Sequence, residues 1–393
     1  MKYDFDKVVD RHGTNCLKYD FAIERGKPAD ILPLWVADMD FQTAPAILER
    51  LEETVKHGIF GYSDGKEGYF AAVQNWYRER FGWETKPEWL VKTPGVVFAL
   101  AAAVRAYTKE GDGVLLQQPV YYPFSEVITD NGRKIVNSPL KITDGYYTMD
   151  FDDLETKIVE NKVKLFLLCS PHNPVGRVWS EEELRRVGEI CLRHGVLVVS
   201  DEIHSDFTRE GHPHTVFAKL GAEFEQNCLI CTAPSKTFNL AGLIGSYHII
   251  YSKWLRDRVD KESSLCHYNE INVLSMHALI GAYKPEGYEW VDELCQVLTA
   301  NVDFACDFIA RRFEGVEVSR PQGTYMLFLD CTRWCEAHGK SIEALQRAGW
   351  DVGVAWQDGR PFHGPCHIRM NLALPLSRVQ EAFRRLDEYV FNA

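Results

Sequence analysis

Apolar and polar positions along this chain recur with two different periods. From Ala44 to Lys56 the apolar residues Ile47, Leu48, Leu51 and Val55 fall on one side of a helix, with Gly58 as its stop, and Gly68–Phe81 continues the pattern. An Ala-rich run from Val96 to Lys109 predicts a buried helix. Short apolar runs of strand length follow at Val114–Gln118, Arg133–Asn137, Lys164–Cys169, Val196–Ser200 and Cys228–Thr232. Between two of them, SEEELRRVGEICLRHG carries both ends of a helix. Ser180 is a good N-cap with Glu183 three residues on, a capping box, and Gly195 closes the C-terminus.

Strands alternating with helices predict an α/β fold, a mostly parallel central sheet flanked by helices. From about Glu286 the texture changes to a long amphipathic helix (Tyr288–Arg312), then strands and a final helix. That change predicts a smaller α+β domain. The expected division is a large domain over 46–286 and a small one made of 1–45 together with 287–393.

Composition narrows the function classes. The chain has 393 residues, long for a single core, with 46% hydrophobic and 25% charged residues. Its formal charge of −12, without a basic tract, argues against nucleic acid and anionic membranes as partners. The longest near-apolar stretch, Gly95–Val104, is too short to span a bilayer, and the first residues lack the apolar core of a signal peptide. Eleven cysteines form an odd, irregularly spaced set with no Cys-x-x-Cys pair, so neither a disulfide framework nor a zinc site is expected. The expectation is a soluble, reduced, cytoplasmic protein.

In open parallel sheets, ligands bind at the carboxyl ends of the strands, so the residues just after each strand matter most. There the chain places Tyr121 in PVYYPF, Asn173 in SPHNPVG, Asp201 and His204 in DEIHSD, and Lys236 in APSK. Ahead of the Ala-rich helix, TPGVV offers Gly95 and the free amides of Val96 and Val97, an anion site at a helix end. Taken singly each has an ordinary structural use: a solvated loop lysine, a turn Asn, a capping Asp or Gly, a packed Tyr. Together they are an anion site, an aromatic plate, an amide, a carboxylate and an amine at one sheet edge. Pyridoxal 5'-phosphate requires such a set. The amine bonds its aldehyde, the helix end takes its phosphate, the carboxylate keeps its ring nitrogen protonated, the amide meets its ring hydroxyl and the aromatic stacks.

SPHNPVG, SDEIH and SKTFNLAGL, in this order and at these separations, resemble the class I/II aminotransferase superfamily, the fold type I pyridoxal phosphate enzymes. PLWVADMDF, FGYS and LCSPHNPVGRVW are similar to its cystathionine β-lyase (C–S lyase) branch, of the MalY/PatB type, and the likeness runs along essentially the whole chain. The resemblance implies that Lys236 anchors the cofactor covalently, Asp201 pairs with the ring nitrogen, Asn173 bonds the ring hydroxyl and Tyr121 stacks. The amides of Val96 and Val97 after Gly95, with Ser235, would hold the phosphate. Tyr62 of FGYS would reach the phosphate of a neighbouring subunit, which implies a homodimer with shared active sites. Arg369 of HIRMNLALP would grip the substrate carboxylate with its planar fork, beside Asn173, Trp35 and Ala37.

Two departures from typical aminotransferases bear on the reaction. The position three residues after Asp201 is His204 rather than tyrosine, and AGLIG puts Ile244 where a phosphate-binding arginine stands in a Gly-x-Arg-x-Gly pattern. Both match the β-lyase branch. The expected reaction is α,β-elimination from L-cystathionine or a related cysteine S-conjugate, giving a thiol, pyruvate and ammonia. The alternatives are amino-acid transamination and a lyase with an added regulatory, protein-binding role.

Overall fold

The strands Gly113–Leu116, Leu165–Cys169, Leu197–Asp201 and Cys228–Thr232 are buried along their full length, as strands covered on both faces must be. They belong to a seven-stranded sheet whose order in space is Leu90–Thr93, Ser246–Ile249, Cys228–Thr232, Leu197–Asp201, Leu165–Cys169, Gly113–Leu116, Lys134–Asn137. Ser246–Ile249 runs antiparallel to both of its neighbours and the other pairs are parallel. This is the mostly parallel, helix-flanked α/β sheet expected from the pattern. Alternate residues feed opposite cores. Phe166, Leu168, Val198 and Ile230 join one, while Leu165, Leu167, Val199 and Leu229 pack with the Ala-rich helix Val96–Tyr107 in the other. The structure is a computed structural model and describes residues 1–267 and 270–392.

Two strands escape the hydrophobic pattern. Leu90–Thr93 (LVKT) and Ser246–Ile249 (SYHI) are short and carry polar residues, of which Thr93 and Ser246 satisfy each other across the pair. Ser246 Oγ and Thr93 Oγ1 lie 2.6 Å apart across the two strands. The helices agree with expectation to within a turn, and the capping box of Glu181–Arg193 is formed on both sides.

A second, four-stranded antiparallel sheet has the order Glu317–Val318, Met326–Asp330, His367–Asn371, Gln357–Asp358. Its core contains Leu327, Leu329, Ile368, Met370 and the apolar face of the helix Leu376–Leu386. The long helix Pro285–Arg312 serves both units: Trp290, Val291 and Leu294 pack with the larger core, Val302, Ala305 and Ile309 with the smaller. The N-terminal segment is shared in the same way. Leu32–Pro33 pairs in parallel with Val354–Ala355, whereas Met39 and Phe41 reach the larger core. Residues 34–39 therefore cross from one unit to the other, beside the carboxyl ends of the large sheet. No helix among the described residues is long and apolar enough to cross a membrane.

Candidate functional site

The large sheet reverses its winding between Gly113–Leu116 and Leu165–Cys169, and a crevice is expected just beyond the carboxyl ends of those strands. The loops leaving them meet there: the Tyr121 amide donates to the Asn173 carbonyl at 3.0 Å. A cavity of about 270 Å3 opens at this edge, and Ala37, Gly95, Val96, Val97, Tyr121, Asn173, Asp201, His204, Ser235 and Lys236 all line it.

Lys236 stands on the single helical turn Pro234–Thr237 that follows the strand Cys228–Thr232. Its Nζ donates to the Ala37 carbonyl at 2.9 Å. Burial, reinforced by the nearby Arg369 guanidinium, pulls its pKa down to about 8, while Asp38 and Asp201 oppose the shift. Asp201 ends its strand between Cys169 and Cys231 on the flanking strands, and its Oδ1 accepts from the Ile203 amide at 3.1 Å. Burial pushes this carboxyl up to about 7, helped by Glu202, while the Ile203 amide and the Lys236 charge oppose the shift. Asn173 is buried and its Oδ1 lacks a hydrogen-bond partner among the described residues. His204 is buried too, edge-on to Tyr325 with ring centres 5.7 Å apart. Burial, then Lys236 and Arg369, lower its pKa to about 3, so it is a neutral wall of the cavity and not a charge.

Gly95 is the N-cap of Val96–Tyr107 at φ +113°, a backbone shape glycine adopts at little cost. Its own amide donates to Ser246 Oγ at 2.9 Å, and the first-turn amides that follow have no acceptor within the helix. Ser235 Oγ donates weakly to the Gly245 carbonyl at 3.4 Å. Ile244, standing in place of the absent arginine, lies 54% exposed at the rim. Its φ of +51° is unusual for a β-branched side chain.

Three expected residues lie outside the cavity lining. Arg369 is buried on the strand His367–Asn371, with its guanidinium 4.6 Å from the Phe362 ring centre and one nitrogen donating to the Trp35 carbonyl at 2.9 Å. Among the described residues its Nε and Nη1 have no hydrogen-bond partner, an arginine with donors in reserve. Trp35 meets this arginine through its carbonyl. Its ring turns away, packing edge-on to Trp350 at 5.3 Å and donating to the Lys18 carbonyl at 3.0 Å. Tyr62 is fully exposed, at 113%, away from the cavity of its own chain.

Other side chains at the site were not singled out from the sequence. Tyr325 donates to the Ala37 carbonyl at 3.1 Å, Asn371 donates to the carbonyls of Val36 and Asp38 at 2.6 Å each, and Asn239 brackets Met39 through both its amide oxygen and its amide nitrogen at 2.9 Å. Asn371 shares a strand face with Arg369 two residues earlier, a signal that was present. For Tyr325 and Asn239 the signal lies in the fold alone.

The chain is 41% identical over 386 residues to cystathionine beta-lyase PatB of Bacillus subtilis, an alignment covering 98% of each protein. It is 33% identical to protein MalY of Escherichia coli over 96% of each. Among solved structures, cystalysin from Treponema denticola, which contains a pyridoxal 5'-phosphate cofactor, superposes with a TM-score of 0.94 at 34% identity, over 99% of both chains. The fold is accordingly that of the fold type I pyridoxal phosphate enzymes. A model of the family "Aminotransferase class I and II" matches residues 29–386, and the chain belongs to that family.

Proposed function

We propose that this protein is a pyridoxal phosphate-dependent C–S lyase, which cleaves the bond from the β-carbon to sulfur in L-cystathionine or a related cysteine S-conjugate. The products are a thiol, pyruvate and ammonia. The observation that carries the reading is one cavity lined by a lysine, a buried carboxyl, a buried amide oxygen without a partner and a helix N-terminus, in a chain 41% identical to a cystathionine β-lyase along its length.

The cofactor fits this cavity on the chemistry of its walls. Asp201, raised to about 7 by burial, is matched by a protonated ring nitrogen, and the orphaned Asn173 amide by a ring hydroxyl. The amides of Val96 and Val97, with Ser235, face a phosphate, and Tyr121 offers its ring face. When bound, the cofactor supplies an electron sink for the negative charge that develops at the substrate α-carbon. Lys236 is its covalent anchor and, once released, the base for the α-proton. A pKa lowered to about 8 leaves a useful fraction of neutral amine near neutral pH. The Ala37 carbonyl gives the released amine a fixed resting place. Arg369, with two nitrogens unpaired, orients the substrate carboxylate. In the elimination the Cα–H and Cβ–S bonds break, the thiol leaves, and water completes the release of pyruvate and ammonia.

The same reading includes a homodimer in a reduced cytoplasm. Ile59, Phe60 and Tyr62 are exposed in succession, at 71%, 56% and 113%, and Val97 and Ile244 are exposed at the cavity rim. Such a run of bare apolar side chains favours a covering partner. It also includes the division into a cofactor-binding unit (46–286) and a smaller one (1–45 with 287–393). Lys236 from the larger sheet and Arg369 from the smaller one are what that division would bring to one substrate.

The test is to incubate purified protein, loaded with cofactor, with L-cystathionine and no 2-oxo acid. Pyruvate and thiol should appear in equal amounts, and Lys236→Ala should lose both turnover and the visible band of bound cofactor. A strict need for a 2-oxo acid, with no thiol released, returns the assignment to transamination.

A further inference from the structure

Next to the Ala37 carbonyl four charged side chains are gathered: Lys18 and Asp40 are buried, while Arg11 and Asp38 keep about a fifth of their side chains exposed. Arg11 meets both oxygens of Asp38, at 3.1 and 2.9 Å, and Asp40 Oδ1 at 2.7 Å. Lys18, which has no exposed surface, reaches Asp40 Oδ1 at 3.1 Å and Asp38 Oδ1 at 3.4 Å. The Tyr19 hydroxyl donates to Asp40 Oδ2 at 2.8 Å. A largely buried cluster of this kind contributes little net stability, because desolvation offsets the attraction, so its presence calls for another use.

The use lies in the segment it grips. Consecutive carbonyls are each taken by a side chain: Trp35 by Arg369, Val36 by Asn371, Ala37 by Lys236 and Tyr325, Asp38 by Lys18 and Asn371, Met39 by Arg11 and Asn239. The residue that accepts the Lys236 amine is thus followed directly by Asp38, which carries one of the cluster's two carboxylates.

We propose that Asp38 and Lys18 are positioning residues for the reaction: their charges, fixed against this segment, set where the Lys236 nitrogen sits and how firmly it holds its proton. The inference rests on the pyridoxal phosphate reading. Asp38 draws a proton toward the nitrogen and Lys18 opposes it. The other groups facing the nitrogen are Asp201 and His204 after one strand, Arg369 on the smaller sheet, and the hydroxyls of Tyr121 and Tyr325. Among the contributions to the lowered Lys236 pKa, those of Asp38 and Lys18 carry these opposite signs.

The experiment is a pH titration of the visible band of the cofactor-loaded enzyme, which reports the proton on the Lys236 nitrogen, with a thermal melt to confirm folding. Asp38→Asn should move the midpoint toward acid by about half a unit to one unit. Lys18→Met should move it toward base. Opposite shifts are an outcome that general loosening of the site does not produce. Midpoints that stay put, or move in the same direction, overturn the proposal. If Lys18→Met does not fold, Asp38→Asn decides alone. If neither folds, Arg11→Gln, at the half-exposed edge of the cluster, replaces them: it leaves the Asp38 charge less compensated and should move the midpoint toward base, and an unmoved midpoint overturns the proposal. A wild-type protein that forms no such band at all defeats the functional reading instead.

Discussion

The most informative single residue after Lys236 is Asp201, because its protonation must change when a cation enters the cavity. In the ligand-free chain burial raises it to about 7. A protonated ring nitrogen needs it ionised, so cofactor binding expels a proton whenever the pH is below that value. Cofactor affinity should therefore rise as pH increases from about 5.5 to 7 and level off above. In Asp201→Asn that acid-side slope should vanish, with kcat reduced by about one to two orders of magnitude for the loss of a charge-assisted partner. Titrating cofactor into the apoprotein at several pH values checks both. A slope unchanged in Asp201→Asn would place the proton elsewhere. Asp201, Asn173 and Tyr121 were legible as candidates because each lies within a few residues after an apolar strand. Trp35 was not, since an indole ring close in sequence to a site can turn either way, and here Trp350 takes it.

At the scale of elements, the helix Glu181–Arg193 shows where local propensity and packing disagree. By propensity alone, replacing Gly188 with alanine inside a helix should stabilise by about 1 kcal/mol. A Cβ at Gly188 would meet the Phe224 ring at 2.4 and 2.5 Å, so the element cannot pack where it does without displacing that aromatic. Gly188→Ala should therefore destabilise, by about 1–3 kcal/mol, in urea unfolding. A gain in stability would show that Phe224 moves freely. The capping box of the same helix was readable from Ser180 and Glu183 because both partners are four residues or fewer apart. The strands Leu90–Thr93 and Ser246–Ile249 were not readable, because what makes them strands is a pairing across more than 150 residues. The 34–39 segment was equally silent. Its role is carried by backbone carbonyls, which every residue has.

For the whole molecule, three buried histidines set the response to acid. Burial lowers His172, His204 and His248 to about 4, 3 and 4. Each stays neutral when folded but takes a proton near pH 6.5 once unfolded, so the stability they contribute is complete above that pH and lost as pH falls toward 4. Asp201, raised to about 7, acts in the opposite sense over nearly the same window, and Asp206, which burial also raises, adds to that offset. Urea unfolding of the apoprotein should still report a lower stability at pH 5 than at pH 7. A flat profile would mean that these histidines reach water. Tyr62 gives the assembly a separate test. Light scattering should report a dimer, and Tyr62→Ala should weaken cofactor binding by about tenfold while leaving the melt of the apoprotein near its wild-type value. An unchanged affinity removes Tyr62 from the partner's site.

By itself the sequence determined the five parallel strands of the central sheet, the residues near their carboxyl ends and the chemistry they offer. Strands covered on both faces must be continuously apolar, and the polar residues in the few positions after each stand out against that background. Only the tertiary structure decided that Lys236 rests on the Ala37 carbonyl, that Arg369 keeps two nitrogens free, and that Arg11, Lys18, Asp38 and Asp40 stand beside them as one cluster. Those facts depend on where backbone carbonyls and distant charges meet. Spacing along the chain carries little of that information, since the groups involved come from four separate stretches of it.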